Sequence, residues 1–332
     1  MRLDAFDACF IQAVRFRSAL IQEPNHNGAF RLFNGFTEGI PELVVDVLAK
    51  TAVIHDYSDT GMENFQLQYI QERILDALPF CKAIVLKFRR NADCSTRNGQ
   101  LLYGVKADER ICEYGITYAV DLFRNRDNSF YADTRFLRKY LLETSRDKRV
   151  LNTFAYTGSL GVAAFAGGAA DVVQTDLSGK FLELGQRSCH CNAIHFDKHN
   201  FMVGNFFPVV AKLKKAGALF DMVILDPPFF SKTDRGVVDL ANEPLRLINK
   251  LRPLVADDGQ LFVVNNSLFL SGMQFLNALD SICDGEYLTR TEMIPIPEDF
   301  TGFDPEYRRY YQVDPYPFNH PTKIVVLKVK RK

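Results

Sequence analysis

A chain of 332 residues is long enough for two domains of ordinary size and a sizeable buried core, so it needs no disulfide staples. Its 47% hydrophobic and 24% charged fractions exclude a disordered chain, a collagen and a coiled coil. Forty basic residues against forty acidic ones exclude a chain that holds nucleic acid through net charge, leaving only local basic patches such as Lys328, Lys330, Arg331 and Lys332.

In chain order, Phe6, Phe10, Ala13, Val14 and Ile21 recur at helical spacing, and Pro24-Asn25 with Asn27-Gly28 ends the pattern. Residues 3–22 therefore read as an amphipathic helix packed on the body, and 1–28 as a helical N-terminal segment. From Arg31, short β-type runs at 43–45, 52–54 and 83–86 surround a helical stretch over 63–78, so 29–112 read as a small α+β domain. A polar stretch, 91–100, interrupts it with an Asn98-Gly99 turn before strand-like alternation resumes over 114–122.

After about Lys148 the pattern becomes strand, glycine-bearing turn and helix, the rhythm of parallel βαβ units. Strands are predicted at 150–154, 171–175, 221–225, 259–264 and 323–329, and helices at 159–165 and 178–192, within an α/β domain spanning 113–332. An open sheet of this kind binds ligands at the carboxyl ends of its strands, so the residues just past each strand carry the functional information.

Past the first strand stands Phe154-Ala155-Tyr156-Thr157-Gly158, a turn into a helix whose N-terminus offers free N–H groups. One glycine, where a dinucleotide fingerprint has three, argues against a nicotinamide cofactor. Asp176 ends the second strand, where a carboxylate can accept both hydroxyls of a ribose; it can also cap the helix that follows. The 221–225 strand ends in Asp226-Pro227-Pro228-Phe229-Phe230. Two prolines remove two donors, leaving a rigid rim of acceptors suited to a planar nitrogen donor, with Phe229 able to stack on the same base. The plain alternative is a proline turn over core phenylalanines.

Taken in order on consecutive strands, these residues resemble a class I S-adenosylmethionine-dependent methyltransferase, and more narrowly the bacterial 23S rRNA large-subunit methyltransferases of types I and K. The resemblance runs from about Arg31 to the C-terminus: Arg31-Leu32-Phe33-Asn34-Gly35 to Asp46, with Gly39-Ile40-Pro41, matches a small central domain, and Phe130-Tyr131-Ala132-Asp133-Thr134-Arg135 the segment that borders the cofactor. It implies a Rossmann-like α/β sheet, S-adenosylmethionine as cofactor and RNA as partner. The implied cofactor residues are Asp133, Arg135, Thr153, Phe154, Ala155, Tyr156, Thr157, Gly158, Asp176, Leu177, Ser178, Asn205, Phe206 and Asp226, with Asp133 and Arg135 at the methionine end. The implied catalytic residues are Asp226, Pro227, Phe229 and Asn265.

Three departures from the family matter. The family-like region begins near residue 30 behind a single helix, so the RNA-binding PUA domain of the type I enzymes is not expected here. Asn205 stands where relatives carry an acid facing adenine, though an amide oxygen also accepts from the adenine amino group. Asn265-Asn266 stands at a strand end where enzymes that methylate cytosine carbon carry cysteines and type K enzymes carry asparagines. Cytosine C5 needs a thiolate addition at C6, whereas a base nitrogen needs orientation more than covalent activation, so methylation at nitrogen is favoured.

A cytosine-C5 enzyme and a non-catalytic RNA-binding factor are the competing readings. Cys189, Cys191, His195 and His199 do not have zinc-finger spacing, so no metal is expected. Seven cysteines without a CxxC pair, the lack of a long apolar run, and acids at Asp4 and Asp7 point to the cytoplasm.

Overall fold

The computed structural model describes residues 2–90, 98–239, 243–267, 270–283, 285, 287–303 and 322–331, and the chain divides into two compact units. The first comprises the described residues up to Ala132 with 298–303; the second runs from Asp133 to Pro297 and resumes at 322–331.

The first unit opens with α1 (Leu3–Phe16) and α2 (Ser18–Ile21), then β1 (Ala29–Asn34), α3 (Gly35–Glu38), β2 (Leu43–Leu48), β3 (Thr51–Asp56), α4 (Asn64–Ala77), β4 (Ala83–Phe88) and β5 (Gln100–Tyr103). The strands form one sheet in the order β1-β2-β3-β4-β5, antiparallel except where α4 crosses over between parallel β3 and β4. Helix α4 starts where Glu63 N–H donates to Gln66 Oε1 at 3.0 Å, half of a capping box. A hairpin, β6 (Arg110–Glu113) with β7 (Ile116–Ala119), completes the unit.

Both boundaries expected in the small domain are displaced. Phe6, Phe10 and Ala13 of α1 pack into the same core as Leu32, Phe33, Val45, Ile54, Ile70 and Ile84, so residues 1–28 are not a separate segment. Each such large apolar side chain contributes roughly 1.5–3 kcal/mol when fully buried, which α1 alone could not obtain. A boundary between 112 and 113 would cut the β6–β7 hairpin, which cannot stand as two halves; the units divide after Ala132 instead. The 91–97 part of the expected polar stretch lies outside the described residues.

The second unit holds α5 (Arg135–Thr144), β8 (Arg149–Thr153), α6 (Ser159–Ala166), β9 (Asp171–Asp176), α7 (Gly179–Cys191), β10 (Phe201–Val203), α8 (Phe206–Lys215) and β11 (Phe220–Leu225). There follow a hairpin of β12 (Phe230–Thr233) and β13 (Gly236–Asp239), α9 (Pro244–Leu251), β14 (Val255–Asn265), α10 (Gly272–Cys283) and β15 (Leu288–Ile294). The short helix α11 (Glu298–Thr301) belongs to the first unit, where Asp299 Oδ2 accepts from Arg31 N at 2.9 Å, and β16 (Lys323–Val329) closes the second.

The seven-stranded sheet has the order β10-β9-β8-β11-β14-β16-β15, and among these strands β16 alone runs antiparallel. The chain steps outward from β8 through β9 to β10, then returns to place β11 on the other side of β8. That reversal makes the carboxyl ends of β8 and β11 the switch point at which such sheets bind ligands. Because β16 runs backwards, its first residues lie at the same face as the ends of β11 and β14. Helix α6 is apolar on every side and buried; a Cβ on its Gly161 would lie 2.3 Å from the Gln174 side chain, so only glycine lets it lie this close to β9.

Candidate active site

The turn after β8 holds three left-handed residues in a short span, Phe154 (φ 53°), Tyr156 (φ 51°) and Gly158 (φ 75°). Two carry a side chain, at roughly 1–3 kcal/mol each, so the surroundings must hold them there. Ala155 N donates to Thr175 O at 2.9 Å, Gly158 N to Ala155 O at 2.7 Å and Tyr156 N to Asp176 Oδ2 at 2.9 Å. The Phe154 ring stacks on Phe206 at 4.7 Å, and Tyr156 meets the edge of Phe181 at 4.5 Å.

Asp176 is the hub of this corner. Its Oδ1 accepts from Ser178 N at 2.8 Å, so it does shape the start of α7, while a carboxylate with about four lone-pair sites still has acceptor capacity beyond the backbone N–H groups of Tyr156, Leu177 and Ser178. Burial raises its pKa above the ordinary carboxylate value. Beside it Leu177 and, on the neighbouring strand, Val203 are 61% and 62% exposed, an apolar flank at the end of the sheet. A ribose on the carboxylate and a purine against the flank fit these residues, as the adenosine half of S-adenosylmethionine requires.

At the next strand end, burial and the neighbouring charge of Asp133 push the half-buried Asp226 carboxyl up to about 7. Asp133 is itself buried and accepts from Thr322 Oγ1 at 2.7 Å. Pro227 is buried and Pro228 exposed. Of the two aromatics that follow, Phe229 packs on the core while Phe230 is 56% exposed.

Asn265 ends β14 next to β11, 1% exposed. Its Oδ1 accepts from Ser267 N at 2.9 Å, and its Nδ2 has no hydrogen-bond partner among the described residues. The Lys323 ammonium, at the first position of β16 and paired in register with Asn265, donates to Ser267 O at 2.9 Å. A buried amide donor is thus left over on the strand end that neighbours the one carrying Asp226.

The structure thus gathers Asp133, Asp226 and Asn265 at one face, and Phe154 to Gly158, Asp176, Leu177, Ser178 and Phe206 at the adjoining corner. Ala155 and Thr157 are buried beneath the turn, and Arg135 begins α5 just after Asp133. One expected residue is committed elsewhere, and another also serves as a helix cap. Thr153 is fully buried and its hydroxyl donates to Ile224 O at 2.8 Å, which ties β8 to β11 and leaves no side chain for a ligand. Asn205 caps α8, with Oδ1 accepting from Phe207 N at 3.1 Å and Nδ2 donating to Thr233 Oγ1 at 2.8 Å. Burial pushes the fully buried Cys189 thiol up to about 12, and His199 Nε2 lies 3.1 Å from Asp171 Oδ1. Sequence reasoning missed Thr322 and Lys323 as members of the site, because only the antiparallel placement of β16 brings them there.

Comparison with known proteins places the chain among methyltransferases. YwbD of Bacillus subtilis, provisionally named a ribosomal RNA large subunit methyltransferase, is 28% identical over 328 residues, 96% of this chain and 79% of its own length. Ribosomal RNA large subunit methyltransferase K of Neisseria meningitidis is 32% identical over 193 residues, 57% of this chain and 52% of that one. The type I enzyme of Aeromonas hydrophila is 30% identical over 237 residues, 70% of this chain and 59% of its own. The chain therefore spans little more than half the length of these two relatives. A Streptococcus mutans protein of known structure, provisionally described as an S-adenosylmethionine-dependent methyltransferase, shares the fold with a TM-score of 0.82 at 21% identity over 99% of this chain and 82% of that one. The profile of the S-adenosylmethionine-dependent methyltransferase family matches residues 61–307, and the chain belongs to that family.

Proposed function

We propose that this methyltransferase modifies a nitrogen of a nucleobase in RNA, with large-subunit ribosomal RNA as the substrate, as the names of its relatives suggest. The observation that carries the reading is the pairing, on adjacent strand ends, of Asp226 with the unpartnered Nδ2 of Asn265. Together they offer an acceptor and a donor to the edge of one flat base, which is orientation rather than covalent activation. S-Adenosylmethionine supplies an electrophilic methyl group on a sulfonium. A base nitrogen would take that methyl group through its lone pair, the sulfonium leaving as a neutral thioether, and the Asp226 carboxylate would receive the proton the nitrogen sheds. With its pKa near neutrality Asp226 is suited to hold that proton.

In the cofactor site Asp176 receives the ribose hydroxyls, Leu177 and Phe206 border the adenine, and the 154–158 turn with Asp133 and Arg135 surrounds the methionine end. Phe230, rather than the core-packed Phe229, presents an aromatic face beside the loop. Carbon methylation by a cysteine is not favoured: the described cysteines of this unit, Cys189, Cys191 and Cys283, lie on α7 and α10 and not at the ends of β8, β9, β11 or β14.

Mass spectrometry of ribosomal RNA nucleosides from a strain lacking the gene tests the substrate, with loss of one N-methylated nucleoside expected. RNA containing 5-fluorocytosine tests the chemistry: no covalent adduct should form, and an adduct on any cysteine sinks the nitrogen assignment.

A further inference from the structure

The chain is neutral overall, but one part of the second unit is not. No acidic residue occurs in 206–220 or 244–256, and these stretches carry Lys212, Lys214, Lys215, Arg246, Lys250 and Arg252. Of the carboxylates that flank them, Glu243 pairs with Arg246 at 2.7 Å and Asp258 with Lys328 at 2.9 Å, while Asp221 and Asp257 accept from the backbone N–H groups of Arg149 at 2.8 Å and Arg331 at 2.7 Å. Arg331 also donates to the Pro253 and Val255 carbonyls, so much of the basic tail that stands out in the sequence is spoken for.

Lys212, Lys214, Lys215 and Lys250 have no ion pair or side-chain hydrogen bond among the described residues. Helix α8 packs against residues 252–254, just past Lys250, and burial, then repulsion from Lys250, lowers the Lys214 pKa. Both helix C-termini direct the negative ends of their dipoles here, which makes the cluster tolerable without neutralising it. Helix α8 starts at the site end of β10 and runs ten residues, about 15 Å at 1.5 Å per residue, so the lysines stand at the opposite end of the strands from Asp226.

We infer that Lys212, Lys214, Lys215 and Lys250 form a docking surface for the phosphate backbone of the RNA substrate, remote from the reacting base. This rests on the RNA reading above and adds where the rest of the strand is held. Four ammonium groups without an ion pair among the described residues complement a regularly spaced polyanion, and phosphate contacts position a substrate without reading its sequence.

The test measures binding of the full chain to a 23S rRNA transcript across salt concentrations, for wild type and for the Lys212→Gln, Lys214→Gln, Lys215→Gln, Lys250→Gln quadruple variant. Losing four phosphate contacts should flatten the slope of log K against log salt by about 3. RNA affinity should fall at least tenfold at about 0.15 M salt, where such contacts are still felt. Affinity for S-adenosylmethionine should not change, and the fourfold Lys→Arg variant should keep the wild-type slope. An unchanged slope in the glutamine variant overturns the surface, and so does tighter binding to duplex DNA than to RNA. If wild type binds the transcript with the predicted slope but transfers no methyl group to it, the surface stands and the proposed reaction falls. If methyl transfer is normal and the slope does not change, the reverse holds.

Discussion

Asp226 shares a desolvated site with a second carboxylate, Asp133, and burial together with that neighbour holds the Asp226 carboxyl at about 7. Replacing Asp133 by Asn removes the like charge and lets the Asp226 pKa fall toward its ordinary range. In the proposed reaction Asp226 acts as carboxylate, so the acid limb of the pH–rate profile should move from near 7 to lower pH in Asp133→Asn at saturating cofactor. A limb that stays in place would separate the two groups. Linkage adds a second readout. Because the folded pKa is raised, the carboxyl destabilises the fold progressively as pH rises from about 4 to 7. Asp226→Asn should therefore raise the melting temperature by several °C at pH 8 and leave it unchanged at pH 4.

Asp176 offers a cleaner test of the cofactor corner. Asp176→Ala removes the acceptor expected for two ribose hydroxyls, and hydrogen bonds to a charged group are worth roughly 1.5–3 kcal/mol. Cofactor affinity should drop about 10- to 100-fold by calorimetry. The variant also loses the contacts with Tyr156 N and Ser178 N that hold the turn, so Asp176→Asn, which keeps an acceptor, should retain more affinity. Equal affinity in wild type and the alanine variant would remove Asp176 from the site.

How much of this was legible beforehand depends on the range of the interactions involved. Asp176 and the Asp226-Pro227-Pro228 loop follow strands that announce themselves as apolar β-branched runs, so position and chemistry coincide in a few residues. Thr153 looked like part of the same turn, but its hydroxyl is used by a carbonyl 71 residues away, which no local pattern shows. The β12–β13 hairpin was invisible because Phe230-Ser231-Lys232-Thr233 has no buried face to set a period. Membership of Thr322 and Lys323 in the site depends on β16 inserting backwards between β14 and β15. The first unit's boundary failed for a similar reason, since α1 is amphipathic with or without a partner and only Phe33 and its neighbours decide where it packs.

In that unit a buried imidazole sets a pH limit on stability. His55 lies 3.1 Å from Asp46 Oδ2 and 3.1 Å from the Asn128 amide, and burial lowers its pKa from 6.5 to about 4 despite the carboxylate. The unfolded chain takes up a proton between about 6.5 and 4 that the folded chain refuses, so this residue's contribution to stability falls as pH drops through that window. Urea denaturation of wild type and His55→Gln at several pH values should show the gap narrowing as pH falls from 6.5 to 4. A gap independent of pH would mean that His55 ionises alike in both states.

Lys323 is expected to act on catalysis through Asn265 rather than by touching substrate. Its ammonium donates to Ser267 O, and Ser267 N in turn fixes Asn265 Oδ1, which leaves Nδ2 as the free end of the amide. Lys323→Met removes a buried donor and should destabilise the unit by roughly 1–3 kcal/mol. If orientation of Asn265 matters to the transition state, single-turnover methyl transfer should also fall about tenfold or more, with cofactor affinity unchanged. Lys323→Arg, which keeps a charged donor, should recover part of the rate. The comparison is made where circular dichroism shows all variants folded, because loss of stability alone would lower the melting temperature without changing turnover of the folded enzyme. Wild-type turnover in a folded Lys323→Met protein would reduce the residue to a packing role and leave Asn265 held by Ser267 alone.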